Sequence, residues 1–396
     1  MSDAQYLWVS DLNQKDETLG ETHFPKTLEF YDTTLRDGEQ TIGVSWDKHD
    51  KLEIAKMIDS LGVKRIEAGM PVVSREDKEA FELILDAGLN AEIWGFSRAV
   101  KGDIDGNIEV GVKHIICEIA TSPVKMKANN FTEESVLKKV LDSLQHAKKN
   151  GLYTAFFAVD ATRSDLKFLE TVYRKAVEEG GADEVVLVDT LGVATPETMF
   201  YLTKQLRSWV DVPIMTHCHN DFGMATACTM FSVKGGAYCA QVTVNGLGEK
   251  TGNADLAETA IAAKLYGMEV DIDMKKLYEA AKLIAKKTNI PLSPLKPVTG
   301  ENVFKRESGV TVAQLINYPP SVEGYSPEIL GRDREILLSK KSGKKSIEYK
   351  LGLMKVSASS EQVDQVLLAV KELGLKKKGI VTDAEFEKIV KDTVKG

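Results

Sequence analysis

Long apolar runs are missing from this 396-residue chain. No segment approaches the ~20 residues needed to span a bilayer. The amino terminus carries Asp, Glu and Lys where a secretory signal would place an apolar core. Neither a membrane nor a secretory destination is expected, and the chain reads as cytoplasmic. Positive charge is scarce as well. The net charge is −8, and the one basic group, Lys340, Lys341, Lys344 and Lys345, is too small to make nucleic acid the main partner. The four cysteines (Cys117, Cys218, Cys228 and Cys239) lie in or near apolar runs without CxxC spacing. That pattern reads as reduced packing residues, not as a disulfide framework or a thiolate metal site. No GxGxxG follows the first strand-like run, which weighs against a doubly wound dinucleotide fold, the runner-up architecture.

What the chain does have is alternation. With 43% hydrophobic residues it can bury one large core and leave residues over. Eight β-like runs alternate with helical stretches: TLEFYD (27–32), KRIEAGMP (64–71), AEIWGFS (91–97), VKHIICEIA (112–120), LYTAFFAVD (152–160), ADEVVLVDT (182–190), VPIMTHCH (212–219) and AQVTV (240–244). Each strand–helix unit is too short to stand alone, so a (β/α)8 TIM barrel is the economical α/β solution, with a mainly helical C-terminal extension. The expected division is an arm over 1–25, the catalytic barrel over 26–270, a helix and proline-containing linker over 271–300, and helical subdomains over 301–396 that cover the barrel mouth. In that last region helices are expected over 308–317, 328–338, 343–351, 361–375 and 383–394.

Polar groups gather where the strands end. YDTTLRDGEQ (31–40), THCHND (216–221) and NGLGEKTGN (245–253) each overlap or follow an apolar run, as expected at the carboxyl end of a parallel barrel. His217 and His219 are two residues apart, so on extended backbone they share a face while Cys218 points away. Two imidazoles with an oxygen from Asp37 make a divalent-metal site with open positions for substrate. Such a set suits an octahedral ion, Mn2+ or Mg2+ before Co2+ or Zn2+. On the bland reading these residues are hydrogen-bonded core histidines, a turn aspartate and an Arg36 that only pairs with Glu67 or Glu39. His23, His49, His114 and His146 carry no catalytic expectation.

These motifs (DTTLRDGEQ, THCHNDFGMA, NGLGEKTGNADLAE and the later KPVTGENVF) resemble the metal-dependent Claisen-type synthases related to isopropylmalate, homocitrate and citramalate synthases, over about Leu28 to Leu351. The resemblance implies condensation of acetyl-CoA with a 2-oxo(di)carboxylic acid at a divalent metal, then thioester hydrolysis. It also implies a homodimer in which one tail reaches the other subunit's site. Asp37, His217 and His219 match the family's metal ligands, and Asn253 matches an asparagine on or near the metal. Arg36 matches the arginine for the 2-oxoacid's carbonyl oxygen. Thr190 could bind the substrate carboxylate, and Gln40 and Glu39 could support the metal or the substrate. Gly246, Gly248 and Gly252 would permit close backbone approach. The lysines at 340–345 are a solvated face or a seat for CoA phosphates.

Departures from the family pattern decide what is left open. Val159 stands where relatives carry a glutamate on the fifth strand, and Arg306 and Thr311 stand where they carry histidines after the barrel. Arginine is a poor base, so proton abstraction falls to Glu307, Asp160, Tyr325 or a water they hold, with Arg306 binding a carboxylate or the enolate oxygen. Arg163 and Arg306 could serve the distal carboxylate of a short acceptor. The fifth strand lacks, near Ala155, the arginine that homocitrate synthases tend to use for the distal carboxylate; with the KPVTGENVF match and the lack of an amino-acid-sensing C-terminal domain, this favours oxaloacetate, giving citrate by Re-face attack. Homocitrate synthase comes next, then citramalate or isopropylmalate synthase. An acyl-CoA lyase or aldolase and a non-catalytic homologue are the readings from other classes.

Overall fold

A computed structural model describes residues 6–394. The chain divides into two compact units, one of Asp11–Leu292 and one that joins the described parts of Met1–Ser10 and Ser293–Gly396. In the first unit eight strands lie side by side: β1 (Thr27–Asp32), β2 (Arg65–Glu67), β3 (Glu92–Arg98), β4 (His114–Ala120), β5 (Tyr153–Val159), β6 (Glu184–Asp189), β7 (Ile214–Cys218) and β8 (Cys239–Val242). They run in sequence order with every pairing parallel, and β1 bonds both β8 and β2. Tyr31 opposite Arg65 and Asp32 opposite Ile66 close the sheet, which rules out the open doubly wound alternative.

The closure explains the strand sequences. A strand between barrel interior and helix layer is buried on both faces and reads as continuous apolar sequence. EVVLVD of β6 is buried at every position. Trp94, Phe96, Ile116, Phe157, Val186 and Met215 fill the interior as a packed core. Several outer helices begin at a side-chain cap, Asp47, Ser74 and Thr132 among them, whose oxygens accept from first-turn amides. Two short helices that periodicity did not reveal, Lys101–Glu109 and Pro123–Ala128, follow β3 and β4.

The amino ends of the strands carry a polar plug. Arg65 donates to both carboxylate oxygens of Glu184 at 3.0 Å and to the Tyr238 hydroxyl at 2.6 Å, while Tyr153 donates to Glu184 at 2.7 Å. His114 stacks on Trp94 in the same layer (centroids 5.2 Å apart), a structural histidine. All four cysteines are free and buried. From the expected arm, residues 1–5 lie outside the described residues. Farther on, Gln14 donates to the Leu265 carbonyl and Phe24 stacks on Tyr266 at 4.0 Å, so that stretch packs on the barrel unit. Helix Leu277–Thr288 belongs to that unit too.

The second unit is mainly helical, with Gly309–Asn317, Lys344–Leu353, Ser360–Lys377 and Asp383–Val394. Ile347, Val366, Val370 and Phe386 form its core. The helix expected over 328–338 is not formed. Pro327–Leu330 is a single 3-10 turn that ends at left-handed Gly331 (φ 60°), and Glu335–Ile336 then pairs in parallel with Lys305–Arg306. A strand this short has no periodicity to read, and the apolar Ile336 and Leu338 imitated a helical face. No helix among the described residues is long and apolar enough to cross a membrane.

Candidate active site

The carboxyl ends of β1, β7 and β8 bring together three distant segments. Asp37 follows β1, His217 is on β7 with His219 just beyond it, and Asn253 lies after β8. Backbone bonds fix the last two segments against each other. His219 and Asn253 form an antiparallel bridge, Asn220 N donates to Gly252 O (2.9 Å) and Ala254 N to Cys218 O (3.1 Å). This approach depends on glycine. A Cβ at Gly252 would overlap the Gly246 carbonyl, and one at Gly248 the Asn253 carboxamide; both residues also have positive φ.

Asp37, His217 and His219 are buried with one ligand atom each, all within 4.8 Å of one another. The two Nε2 atoms are 3.3 Å apart, and Asp37 Oδ2 is 3.4 Å from one and 3.5 Å from the other. Three donors that converge this way fit a divalent cation. His217 Nδ1 lies 3.0 Å from Gln241 Oε1, an acceptor, so the proton sits on Nδ1 and the Nε2 lone pair faces the centre. Burial first, and then His217, pull the His219 imidazole down to about 3, keeping it neutral as a ligand must be. Burial alone would raise the Asp37 carboxyl, but Arg36 and His217 hold it well below the usual carboxylate range. Asn253 Nδ2 donates to Asp37 Oδ2 at 2.7 Å, leaving Asn253 Oδ1 buried without a hydrogen-bond partner. That oxygen is a fourth donor of the right chemistry. Cys218 turns away, its sulfur 3.7 Å from Thr216 Oγ1.

Arg36 does pair with Glu67, through Nε at 2.5 Å, and its Nη1 lies 3.5 Å from Asp37, while Nη2 is buried with no partner. Its guanidinium lies over the Phe96 ring at 4.1 Å. Glu67, itself held by the Tyr31 hydroxyl at 3.1 Å, therefore orients a cation that keeps one donor free. Gln40 is exposed and lines a cavity of about 590 Å³ with Arg36, Glu39, Phe96, Arg98 and Glu118. Glu39 pairs with Lys51 at 2.7 Å.

The other expected residues have different neighbours. Thr190 Oγ1 accepts from Asp160 N at 2.8 Å, and Arg163 clamps the Asp160 carboxylate with Nε and Nη2. Arg306, Glu307 and Tyr325 belong to the second unit. There Arg306 donates to the carbonyls of Val303, Lys305 and Val322. Glu307 pairs with Lys341 at 2.5 Å; burial would raise its carboxyl, but Lys341 and Ser339 hold it below its ordinary value. Burial raises the Tyr325 phenol, whose ring meets Phe304 edge-on. Within the lysine cluster, Lys344 and Lys345 pair with Asp364 and Glu348. Sequence reasoning missed Gln241 and Glu118. A glutamine inside apolar AQVTV was the available signal for the first.

A family model described as HMGL-like matches residues 27–284, and one described as homocitrate synthase post-HMGL domain-like matches 298–378. The (R)-citramalate synthase of Methanocaldococcus jannaschii is 44% identical over 367 residues, 92% of this chain and 74% of that one. The homocitrate synthase of Methanopyrus kandleri is 42% identical across 96% of this chain and 95% of its own. Among solved structures, hydroxymethylglutaryl-CoA lyase from Pseudomonas aeruginosa superposes with a TM-score of 0.60 at 22% identity, covering 70% of this chain and 97% of that one, a likeness of fold. With its closed barrel and buried Asp37–His217–His219 cluster, the chain belongs to the metal-dependent Claisen-condensing synthase family of isopropylmalate, homocitrate and citramalate synthases, whose members are acyl-CoA-condensing transferases.

Proposed function

We propose that this chain condenses acetyl-CoA with a dicarboxylic 2-oxoacid and releases free CoA. The observation that carries the reading is the buried Asp37–His217–His219 cluster beside an Arg36 with an unused donor. Asp37, His217, His219 and the Asn253 carboxamide oxygen would hold the divalent metal, Mn2+ or Mg2+. Bound there, the metal supplies Lewis acidity toward the 2-oxoacid's carbonyl and carboxylate. The chain's own residues do the rest. Arg36 Nη2 donates to the carbonyl oxygen as negative charge develops on it, in a position that Glu67 has already fixed. The Thr190 hydroxyl, which accepts from Asp160, keeps its own proton for the substrate carboxylate. Water hydrolyses the thioester after the new carbon–carbon bond forms.

The match of 298–378 to the homocitrate synthase post-barrel model, with the relatives' names, supports 2-oxoglutarate as the first acceptor. Citramalate and isopropylmalate synthases among the relatives add pyruvate and 2-oxoisovalerate. Oxaloacetate is the second reading, favoured by the lack of an arginine near Ala155 on β5, where homocitrate synthases tend to carry one for the distal carboxylate. The test is thiol release from acetyl-CoA with Mn2+ and each of the four acceptors. One acceptor should support turnover well above the others, and His217→Ala should abolish it. No release with any acceptor or metal would overturn the condensation, and ketone or aldehyde release from a hydroxyacyl-CoA would replace it with a lyase.

A further inference from the structure

The condensation needs a base for the acyl-CoA methyl group; of those expected from sequence, the Tyr325 phenol is raised by burial and so stays protonated, and the two carboxylates are engaged. Glu307 is paired with Lys341, and Asp160 accepts from Arg163 and Ser122. The large cavity at Arg36 has four acidic side chains in its wall. Glu39 and Asp77 both pair with Lys51, and Glu76 accepts from Lys48 N. Glu118 is the fourth, and among the described residues its carboxylate has no hydrogen bond or ion pair within bonding distance. It is an inward position of β4, two residues from core Ile116. In register it stands between Arg98 of β3 and Phe157 of β5. Phe157 meets the His217 ring edge-on at 5.3 Å, and Phe96, one inward position before Arg98, carries the Arg36 guanidinium.

Glu118 and Arg98 also border a second cavity, of about 360 Å³, whose wall includes Lys125, Lys139 and Val159. Neither lysine has an ion-pair partner among the described residues; Lys139 lies over the Phe131 ring at 5.5 Å. Arg36, whose buried Nη2 has no partner, lies in the wall of one cavity, and two cations without an ion-pair partner among the described residues, suited to phosphates, line the other. The carboxylate lies in the wall of both.

We propose that Glu118 is the catalytic base of the condensation, taking the α-proton of an acyl-CoA whose phosphates enter on the Lys125–Lys139 side. This rests on the condensation reading above. The C–H bond breaks, its proton goes to a Glu118 oxygen and its electron pair becomes the enolate. The enolate carbon then bonds the ketone carbon of the 2-oxoacid, whose π pair goes to the carbonyl oxygen facing Arg36. That oxygen takes up one proton from solvent while Glu118 returns its proton to solvent, and water then adds its OH to the acyl carbon and its H to the departing CoA sulfur.

Burial pushes the Glu118 carboxyl up to about 7, against the pull of Arg36, Arg98 and Lys125 and with Asp103 adding to the rise. Phe157 and Val159 on the β5 side bring no charge. A base poised there is matched to neutral pH. kcat should therefore rise with pH up to about 7 and then level off. The sign for stability is opposite. With the folded carboxyl above its unfolded value, the ionised form is the costly one, and stability is lost as pH rises toward 7.

The test compares wild type, Glu118→Gln and Glu118→Asp with Mn2+, acetyl-CoA and the acceptor the wild type accepts. Gln should lower kcat by about 10²–10⁴-fold, with the acceptor KM within a few-fold. It should also abolish solvent deuterium exchange into the acetyl methyl group and remove the limb near pH 7. Asp should recover part of the exchange. Mn2+ affinity should be unchanged, and the Gln variant should melt no lower than wild type at pH 8, so a folding defect is visible separately. Wild-type exchange and pH profile in Glu118→Gln would overturn the proposal while leaving the condensation intact. So would a loss confined to acceptor KM, which would make Glu118 a binding residue. If wild type itself releases no CoA with any acceptor, both readings fall.

Discussion

Single side chains set the state of the metal cluster. Gln241 is neither charged nor a ligand, yet its carbonyl oxygen accepts a hydrogen bond from His217 Nδ1–H and so directs the Nε2 lone pair toward Asp37 and His219. Second partners of this kind change metal affinity by about 10–100-fold. Gln241→Leu should weaken Mn2+ binding by that factor, read by calorimetry or by the electron paramagnetic resonance of free Mn2+. An unchanged affinity would mean that packing against Phe157 alone orients the ring. Arg36 follows the same logic. Glu67 and Asp37 hold the guanidinium through Nε and Nη1, and Nη2 is left buried without a partner.

At the scale of elements, the two ends of the barrel divide stability from chemistry. The carboxyl ends carry the site, while the amino ends carry the Arg65–Glu184–Tyr153–Tyr238 plug, which ties β2, β5 and β6 to the residue before β8. Glu184 is 1% exposed, so removing it takes away the buried counter-charge of a largely buried guanidinium and leaves only the half-exposed Glu92 at 3.3 Å. Glu184→Ala should cost about 3–5 kcal/mol. Replacing Arg65 and Glu184 together with apolar residues of similar volume should restore much of that. Urea titration of the single and double variants checks both, and equal losses would show that the charges do not act as a pair. Elements also mark the limits of reading a sequence. The parallel barrel was legible because eight short apolar runs recur at similar spacing. The pairing of Lys305–Arg306 with Glu335–Ile336 was not, since two residues on each side carry no period.

For the whole molecule, the barrel and the second unit each enclose a core, one around Trp94 and Phe157 and the other around Val366 and Phe386. We expect two copies to associate. Light scattering on the purified protein should give a species of twice the 43.6 kDa chain mass. A chain mass that persists at micromolar concentration, with full activity, would refute the homodimer.

Local order was enough to determine several features. HxH on extended backbone puts two imidazoles on one face, an aspartate after the first strand can join them once strands run parallel, and recurrent apolar runs require a buried β/α architecture. Only the tertiary structure decided which charged groups are occupied. Glu118 in HIICEIA reads as any strand-end acid, and Glu307 beside Arg306 reads as a candidate base. Whether a carboxylate is free depends on which cations other segments of the fold deliver to it. Lys51 reaches Glu39 and Asp77, Arg163 reaches Asp160, Lys341 reaches Glu307, and among the described residues no partner comes within bonding distance of the Glu118 carboxylate. Pairing is a property of distances within each folded unit, and residue order along the chain does not specify those distances.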